Sequence, residues 1–348
     1  MKILNFPDVL SMLDSELSIN NYEIFETVNK IYPVKITDYY LSLAIKSKSI
    51  FYQAFPSIEE LYNNEYCDSD PLNEEKYQVI QGLIHKYTNK VIILTTNCCF
   101  MNCRHCTRKR LMHSNQVFNP PDYEQIYKYI KQHKEINDIL LTGGDALTLD
   151  DNTLFDIIGN LEGIDHINTI RIGTRALVTY PERITNSFCK KLEQHGKIWI
   201  NTQFNHPDEI TEQSKKACKL IQEKGVPICN QTVILKGVND NVNTLRSLFL
   251  KLVNIRVIPY YLYQCDNVKG VSHFVKDPRF GANIIKELYK ELPGIAIPRY
   301  IIDTQNKSGK IVAEYSNIIE LSENSAELID YYGNYCYIKY GVNSPKIE

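Results

Sequence analysis

The sequence is short of every feature that would place it in a membrane, on nucleic acid or outside the cell. No apolar run approaches the ~18 residues that span a bilayer, and the opening Met1-Lys2-Ile3-Leu4-Asn5-Phe6-Pro7-Asp8 lacks the apolar core of a signal peptide. Positive charge is not in excess: 39 Lys and Arg face 41 Asp and Glu, a formal net charge of -2, so no global field gathers a polyanion. Gly/Ser linkers, internal repeats and low-complexity tracts are missing as well. The expectation is one large catalytic α/β domain, cytoplasmic, with no membrane and no nucleic-acid partner. What the 348 residues do hold is cysteine. Ten of them in a chain not read as secreted point to free thiols and a metal or redox site rather than a disulfide scaffold.

Residues 1–88 read as an N-terminal helical wrapping segment, with apolar periodicity from Phe6 to Leu17 and Ser57 placed to cap a helix start. From Lys90 the pattern changes to short apolar runs alternating with amphipathic stretches, as in βα units. Strands are expected at 91–94, 138–141, 170–172, 197–200, 226–235 and 256–261, and helices over 123–133, 187–194, 211–224 and 243–253. Gly196 and Gly225 stand where a left-handed residue ends a helix. Six βα units predict a partial (β/α)6 barrel over residues 89–295, open on one side, with its site at the carboxyl ends of the strands. An open doubly wound sheet is the alternative. Residues 296–348, with a polar loop at 306–310 and tyrosine-rich runs, form a C-terminal segment able to close the open side.

Directly after the first barrel strand come Cys99, Cys103 and Cys106, spaced Cys-x3-Cys-x2-Cys. Three thiolates on one loop can hold three irons of a [4Fe–4S] cluster and leave the fourth open to a ligand. The rivals are a zinc knuckle with His105 as fourth ligand, on a span too tight for an easy tetrahedron, and buried thiols clustered by coincidence. Cys98 is off register and reads as packing. The second strand ends in Thr142-Gly143-Gly144-Asp145, whose paired glycines let a ligand approach the backbone and leave N–H and C=O groups to read an amino-acid zwitterion.

Together these two loops resemble the radical S-adenosylmethionine (SAM) enzymes, whose glycine-rich second strand holds the methionine part of that cofactor. Longer strings are similar to lysine 2,3-aminomutases: Cys103-Arg104-His105-Cys106-Thr107-Arg108-Lys109-Arg110, Arg171-Ile172-Gly173-Thr174-Arg175, Phe204-Asn205-His206-Pro207 and Pro259-Tyr260-Tyr261-Leu262-Tyr263-Gln264-Cys265-Asp266. The similarity runs in order over roughly residues 33 to 320. It implies a barrel of the radical SAM type and an isomerase that moves an amino group from C2 to C3, interconverting L-lysine and L-β-lysine. It also implies three cofactors: the cluster, S-adenosylmethionine and pyridoxal 5′-phosphate.

By the same resemblance, the fourth iron binds S-adenosylmethionine, and Thr142, Gly143, Gly144, Asp145, Gln203, His206 and Gln231 lie around it. Lys310 carries pyridoxal phosphate, with Lys307 as a rival, and Lys86, Lys90 and Arg104 neutralise the phosphate. Arg108 grips the substrate α-carboxylate, while Asp266 and Asp303 clamp the ε-ammonium. An electron donor such as flavodoxin or ferredoxin is implied, acting on an enzyme whose oligomeric state stays open. Longer aminomutases share a zinc site with a cysteine after Gly-Val-Asn-Asp and a C-terminal cysteine cluster. Asn241 and the solitary Cys336 match neither, so no such zinc is expected. The rival activities are an arginine or glutamate 2,3-aminomutase and β-lysine formation for elongation factor P. From other classes come a metal-dependent RNA-binding module, prompted by Arg104, Arg108, Lys109 and Arg110, and a non-catalytic iron–sulfur protein.

Overall fold

A computed structural model describes residues 2–5, 7–9, 19–112, 118–305, 309–314, 318–322, 325–329 and 333–340. The strands are β1 (Ile3–Asn5), β2 (Lys35–Thr37), β3 (Gln78–Ile80), β4 (Leu83–Tyr87), β5 (Lys90–Thr96), β6 (Asp138–Gly143), β7 (Thr169–Gly173) and β8 (Ile198–Thr202). They continue as β9 (Ile228–Val233), β10 (Ile258–Tyr263), β11 (Arg299–Asp303), β12 (Lys310–Val312), β13 (Ile318–Leu321), β14 (Ser325–Ile329) and β15 (Tyr335–Lys339). Alternation decides the facing of the main sheet. Val91, Ile93, Ile139, Leu141, Ile170, Ile172, Ile198 and Ile200 join one core with Ile126, Leu154, Phe188 and Ile221 of the helices. The residues between them, such as Lys90, Asp138, Arg171 and Asn201, line an internal cavity. Successive side chains of a strand point to opposite faces, so a polar interior and an apolar exterior come from the same runs.

Strands β3 to β12 pair in strictly sequential order. From β5 to β11 every pairing is parallel, and β3, β4 and β12 add antiparallel edges. A doubly wound sheet reverses its strand order at a switch point. No reversal occurs here, and the barrel reading holds. The parallel strands number seven rather than the expected six, because Tyr300, Ile301 and Ile302 of the supposed closing segment are buried as a further barrel strand. Side chains bridge the seam between the sheet's two ends. Lys86 of β4 donates to the Thr304 carbonyl, and the Tyr87 hydroxyl donates to Asp303 at 2.8 Å. The sheet thus runs across both expected boundaries, at residues 88 and 295.

Helices Ile19–Ile31, Asp38–Ala44 and Lys48–Ala54 occupy the N-terminal segment, but so do β1 to β4, so that segment is not purely helical. Most of the periodic stretch from Phe6 to Leu17 lies outside the described residues. Ser57 caps the 3-10 helix Ile58–Leu61 through a capping box with Glu60. Of the two glycine stops, Gly225 takes the left-handed conformation at φ +75°, whereas Gly196 does not. The helix before it ends at Leu192, and the Gly196 N–H instead donates to Glu162 at 2.8 Å. No helix among the described residues is long and apolar enough to cross a membrane.

A buried charge triad ties the N-terminal segment to the cysteine loop. Glu60 accepts from Arg104 Nε at 2.9 Å and Nη2 at 2.6 Å, and from Lys109 Nζ at 2.7 Å, while Lys109 also lies 4.1 Å over the Tyr32 ring. Burial pushes the Glu60 carboxyl up, but the two cations outweigh it and hold it below the usual range. Removing the acid strands two buried cations. Glu60→Ala is therefore expected to cost about 3–5 kcal/mol of stability, read from the urea unfolding midpoint.

Candidate active site

The cysteine loop leaves β5 and folds back over the end of β6. The Thr96 and Cys98 carbonyls accept from the N–H groups of Gly144, at 2.6 Å, and Asp145, at 2.7 Å. Gly143 sits at φ +128°, and a Cβ on Gly144 would collide with the Cys98 carbonyl. The glycines therefore serve the approach of the cysteine loop, and two of the N–H groups expected to read a zwitterion are already used. Asp145 turns its carboxylate to Thr174 Oγ1 at 2.6 Å, the Arg175 N–H at 2.7 Å and the Leu147 N–H at 3.0 Å, tying the exits of β6 and β7 together.

Cys99, Cys103 and Cys106 face a cavity of about 650 Å³ at the carboxyl ends of the strands, together with Thr142, Gly143, Gly144 and Asp145. Burial and the proximity of the other two thiols push Cys99 well up; burial and Cys103 push Cys106 to about 11. Three free thiols on one loop that share one cavity fit a cluster, in which each thiolate takes its own iron.

His105 provides a second test. Asn205 is oriented by the Val233 N–H on its Oδ1, so its amide nitrogen donates to His105 Nε2 at 3.2 Å, as does Gln203 Nε2 at the same distance. That pattern assigns the proton to Nδ1. Nδ1 is buried at the cavity wall with no protein partner, an N–H awaiting a bound group and not a zinc ligand's lone pair.

At the other end of the cavity, Asp303 and Lys310 are cross-strand partners in the β11–β12 hairpin, and their carboxylate and ammonium form an ion pair. Gly309, at φ +72°, makes the turn and packs against Tyr87 where a Cβ would not fit. Lys310 also lies 4.9 Å from the Tyr263 ring centre, and Lys86 is 3.7 Å from Asp303. Burial alone would lower the Lys310 ammonium, yet Asp303 holds it well above the ordinary lysine value. Asp266, bonded to Thr107, is pushed up to about 6 by burial, with Asp303 adding to the effect. Lys90 is lowered by burial and by the nearby charges of Lys310 and Arg171. A lysine on a fixed hairpin with several further cations in the same space fits an anionic, lysine-bound cofactor. Lys307 lies outside the described residues.

Gln203 and Gln231 line the cavity as expected, and so does Arg108, held by Glu74 through contacts of 2.7–3.0 Å. Three readings need correction. Arg104 does not reach the cavity: it is 1% exposed, with its guanidinium turned to Glu60 and the Tyr32 carbonyl. His206 stands outside as well, capping the 3-10 helix Pro207–Glu209 beside Asp208. Cys98 is exposed, not packed, and contributes its carbonyl rather than its thiol. Four functional residues carry no local signal: Glu74, which orients Arg108; Arg171, paired with Asp138 inside the barrel; and Tyr87 and Tyr263 around Lys310. Arg171 and Tyr263 lay within strings already marked as informative.

With this geometry in place, comparison with known proteins is decisive. The Radical SAM superfamily matches over residues 93–248. An L-lysine 2,3-aminomutase of Fusobacterium nucleatum is 39% identical over 302 residues, 86% of this chain and 71% of the relative. The chain belongs to the lysine 2,3-aminomutase family. A second aminomutase of that name, from Methanococcus maripaludis, is 40% identical over 310 residues, 87% of this chain and 71% of its own. As a member of the family the protein is a radical SAM isomerase acting on an amino acid, with a [4Fe–4S] cluster, S-adenosylmethionine and pyridoxal 5′-phosphate as cofactors. A glutamate 2,3-aminomutase of Clostridioides difficile is 39% identical over 312 residues, 87% of this chain and 72% of its own. Within the lysine 2,3-aminomutase family, then, overall identity does not separate a cationic from an anionic substrate. The cavity's charges must do so.

Proposed function

We propose that this aminomutase interconverts L-lysine and L-β-lysine and holds the substrate at both ends. One observation carries the reading: Asp303, beside Asp266, already receives the primary ammonium of a lysine side chain, that of Lys310. A substrate lysine presents the same group. A close charge contact of this kind is worth ~4 kcal/mol at an effective dielectric of 20, before desolvation is subtracted. A glutamate side chain would add a third carboxylate beside a pair in which Asp303 already raises Asp266. An arginine would bring a longer, planar cation to a place matched to a point charge.

Cys99, Cys103 and Cys106 would hold the cluster, Thr142 to Asp145 with Gln203 and Gln231 would border S-adenosylmethionine, and Lys310 with Lys86 and Lys90 would hold pyridoxal phosphate. When bound, these groups supply the radical and the conjugated carrier that lets the amino group migrate. The chain's own task is placement. Arg108, braced by Glu74, is positioned to take the α-carboxylate, and the acid pair fixes the far end, so that C3 is presented in one orientation. The basic run after the cysteines has internal partners: Arg104 and Lys109 on Glu60, Arg108 on Glu74, Arg110 on Asp70 and Glu75. Those pairings argue against an RNA-binding module. Flavodoxin or ferredoxin would supply the electron in the cytoplasm, where the ten free thiols stay reduced.

The test is anaerobic turnover of lysine, arginine and glutamate by the wild type and by Asp266→Asn and Asp303→Asn, with cofactor content measured because Asp303 also pairs with Lys310. Each variant is expected to lose on the order of 10²-fold in kcat/KM for lysine. Asp266 must be ionised to attract an ammonium. Its raised pKa places that change near 6, so wild-type kcat/KM should fall as the pH drops below 6, and Asp266→Asn should lose that limb. A wild type that prefers glutamate, or two variants that handle lysine normally, would end the assignment.

A further inference from the structure

We infer that Arg175 is a positioning residue for the cluster, donating a hydrogen bond to the sulfur of Cys103 and so raising the potential at which the cluster takes up its electron. Arg175 follows β7 and is 7% exposed. Every arm of the fork is engaged. Nη2 donates to Glu209 Oε1 and Gln53 Oε1, each at 2.6 Å, and to the Tyr40 hydroxyl at 3.2 Å; Nε donates to the Gln203 carbonyl at 3.1 Å. The backbone N–H is fixed by Asp145. With the plane held on that side, Nη1 is aimed at Cys103 Sγ, 3.0 Å away. The other two cysteines are placed differently: Cys99 meets the Met112 thioether at 3.6 Å, and Cys106 accepts from the Arg108 backbone N–H, with the charges of Arg108 and Lys109 acting at longer range.

A planar fork pinned at two nitrogens presents the third without rotational freedom, which a lysine cannot do. N–H donors on cluster sulfurs and nearby positive charge are among the factors that set the potential of iron–sulfur centres. Reduction takes the cluster from its 2+ to its 1+ state with one electron from an external low-potential donor. No covalent bond changes in that step. The added negative charge falls on the cluster and its sulfurs, where the Arg175 N–H meets it, while Glu209 on the far side keeps the buried guanidinium compensated. Arginine does not titrate in the working range, so the effect is constant with pH.

The inference rests on Cys103 being a cluster ligand, and the two fail separately: full iron content in Cys103→Ala ends the ligand assignment, whereas the experiment here presumes a loaded cluster. Arg175→Lys keeps a cation for Glu209 but withdraws the N–H from the sulfur. In anaerobically reconstituted enzyme, redox titration followed by the electron paramagnetic resonance of the reduced cluster should give normal iron and sulfide content and a more negative midpoint. The reduced-to-oxidised ratio at a fixed solution potential should fall about tenfold, which is ~59 mV for one electron. That shift should be the same at every pH tested. A merely structural role would lower the melting temperature and leave the midpoint alone. A fully loaded variant with the wild-type midpoint overturns the inference. If the variant does not load, wild-type holoenzyme grown on arginine carrying 15N only in its guanidino group decides the matter by pulsed resonance: a nitrogen coupling to the reduced cluster supports the hydrogen bond, and its absence overturns it.

Discussion

Replacing any one of Cys99, Cys103 or Cys106 with alanine is expected to abolish the release of 5′-deoxyadenosine from S-adenosylmethionine and to strip most of the iron. With one of the three gone, the Cys-x3-Cys-x2-Cys set offers only two thiolates for a centre that needs three, and the neighbouring Asp145 carboxylate is committed to Thr174 and Arg175. The discriminating control is Cys98→Ala. Its thiol is exposed, and only its carbonyl holds the loop against Asp145, so the substitution keeps the contact that matters and should keep both iron and cleavage. Iron analysis and chromatography of the nucleoside product read the outcome. A triple variant with a normal anaerobic iron spectrum would sink the assignment.

Lys310→Ala is expected to lose bound pyridoxal phosphate and amino-group migration together, with turnover below detection, while cleavage of S-adenosylmethionine in the absence of substrate survives. The hairpin register argues for this lysine. Asp303 and Lys310 are paired across β11 and β12, and that places the amine inside the cavity beside Tyr263. Borohydride reduction of the wild-type holoenzyme should leave the cofactor on the peptide that contains Lys310, read by mass spectrometry, and Lys307→Ala should change nothing. A label on Lys307 would overturn the assignment of Lys310.

Much of this arrangement was legible in the residues alone. The cysteine spacing and the strand runs from Val91 to Tyr261 were visible because each is local or repeats with period two, whereas Asp266 and Asp303 were marked through the family resemblance alone. What escaped depends on partners far apart in sequence. Arg104 reads as a phosphate cation from its place among the cysteines, but Glu60, 44 residues earlier, turns it away from the cavity. Charge can be read from a sequence; direction cannot. His206 was misplaced for a related reason, since it stands in an informative string yet is spent on capping the short helix it begins. The seventh strand was missed because Arg299–Asp303 is followed by a polar loop, so the run resembles a tail until its pairing with β10 is known.

The cross-strand pair at the tip of the β11–β12 hairpin also bears on the proposed substrate. Lys310 reaches Asp303 from within the same chain, at an effective concentration no free amino acid can match. A substrate ammonium that is to take Asp303 would therefore have to displace an internal look-alike, and Lys310 would have to leave the acid first.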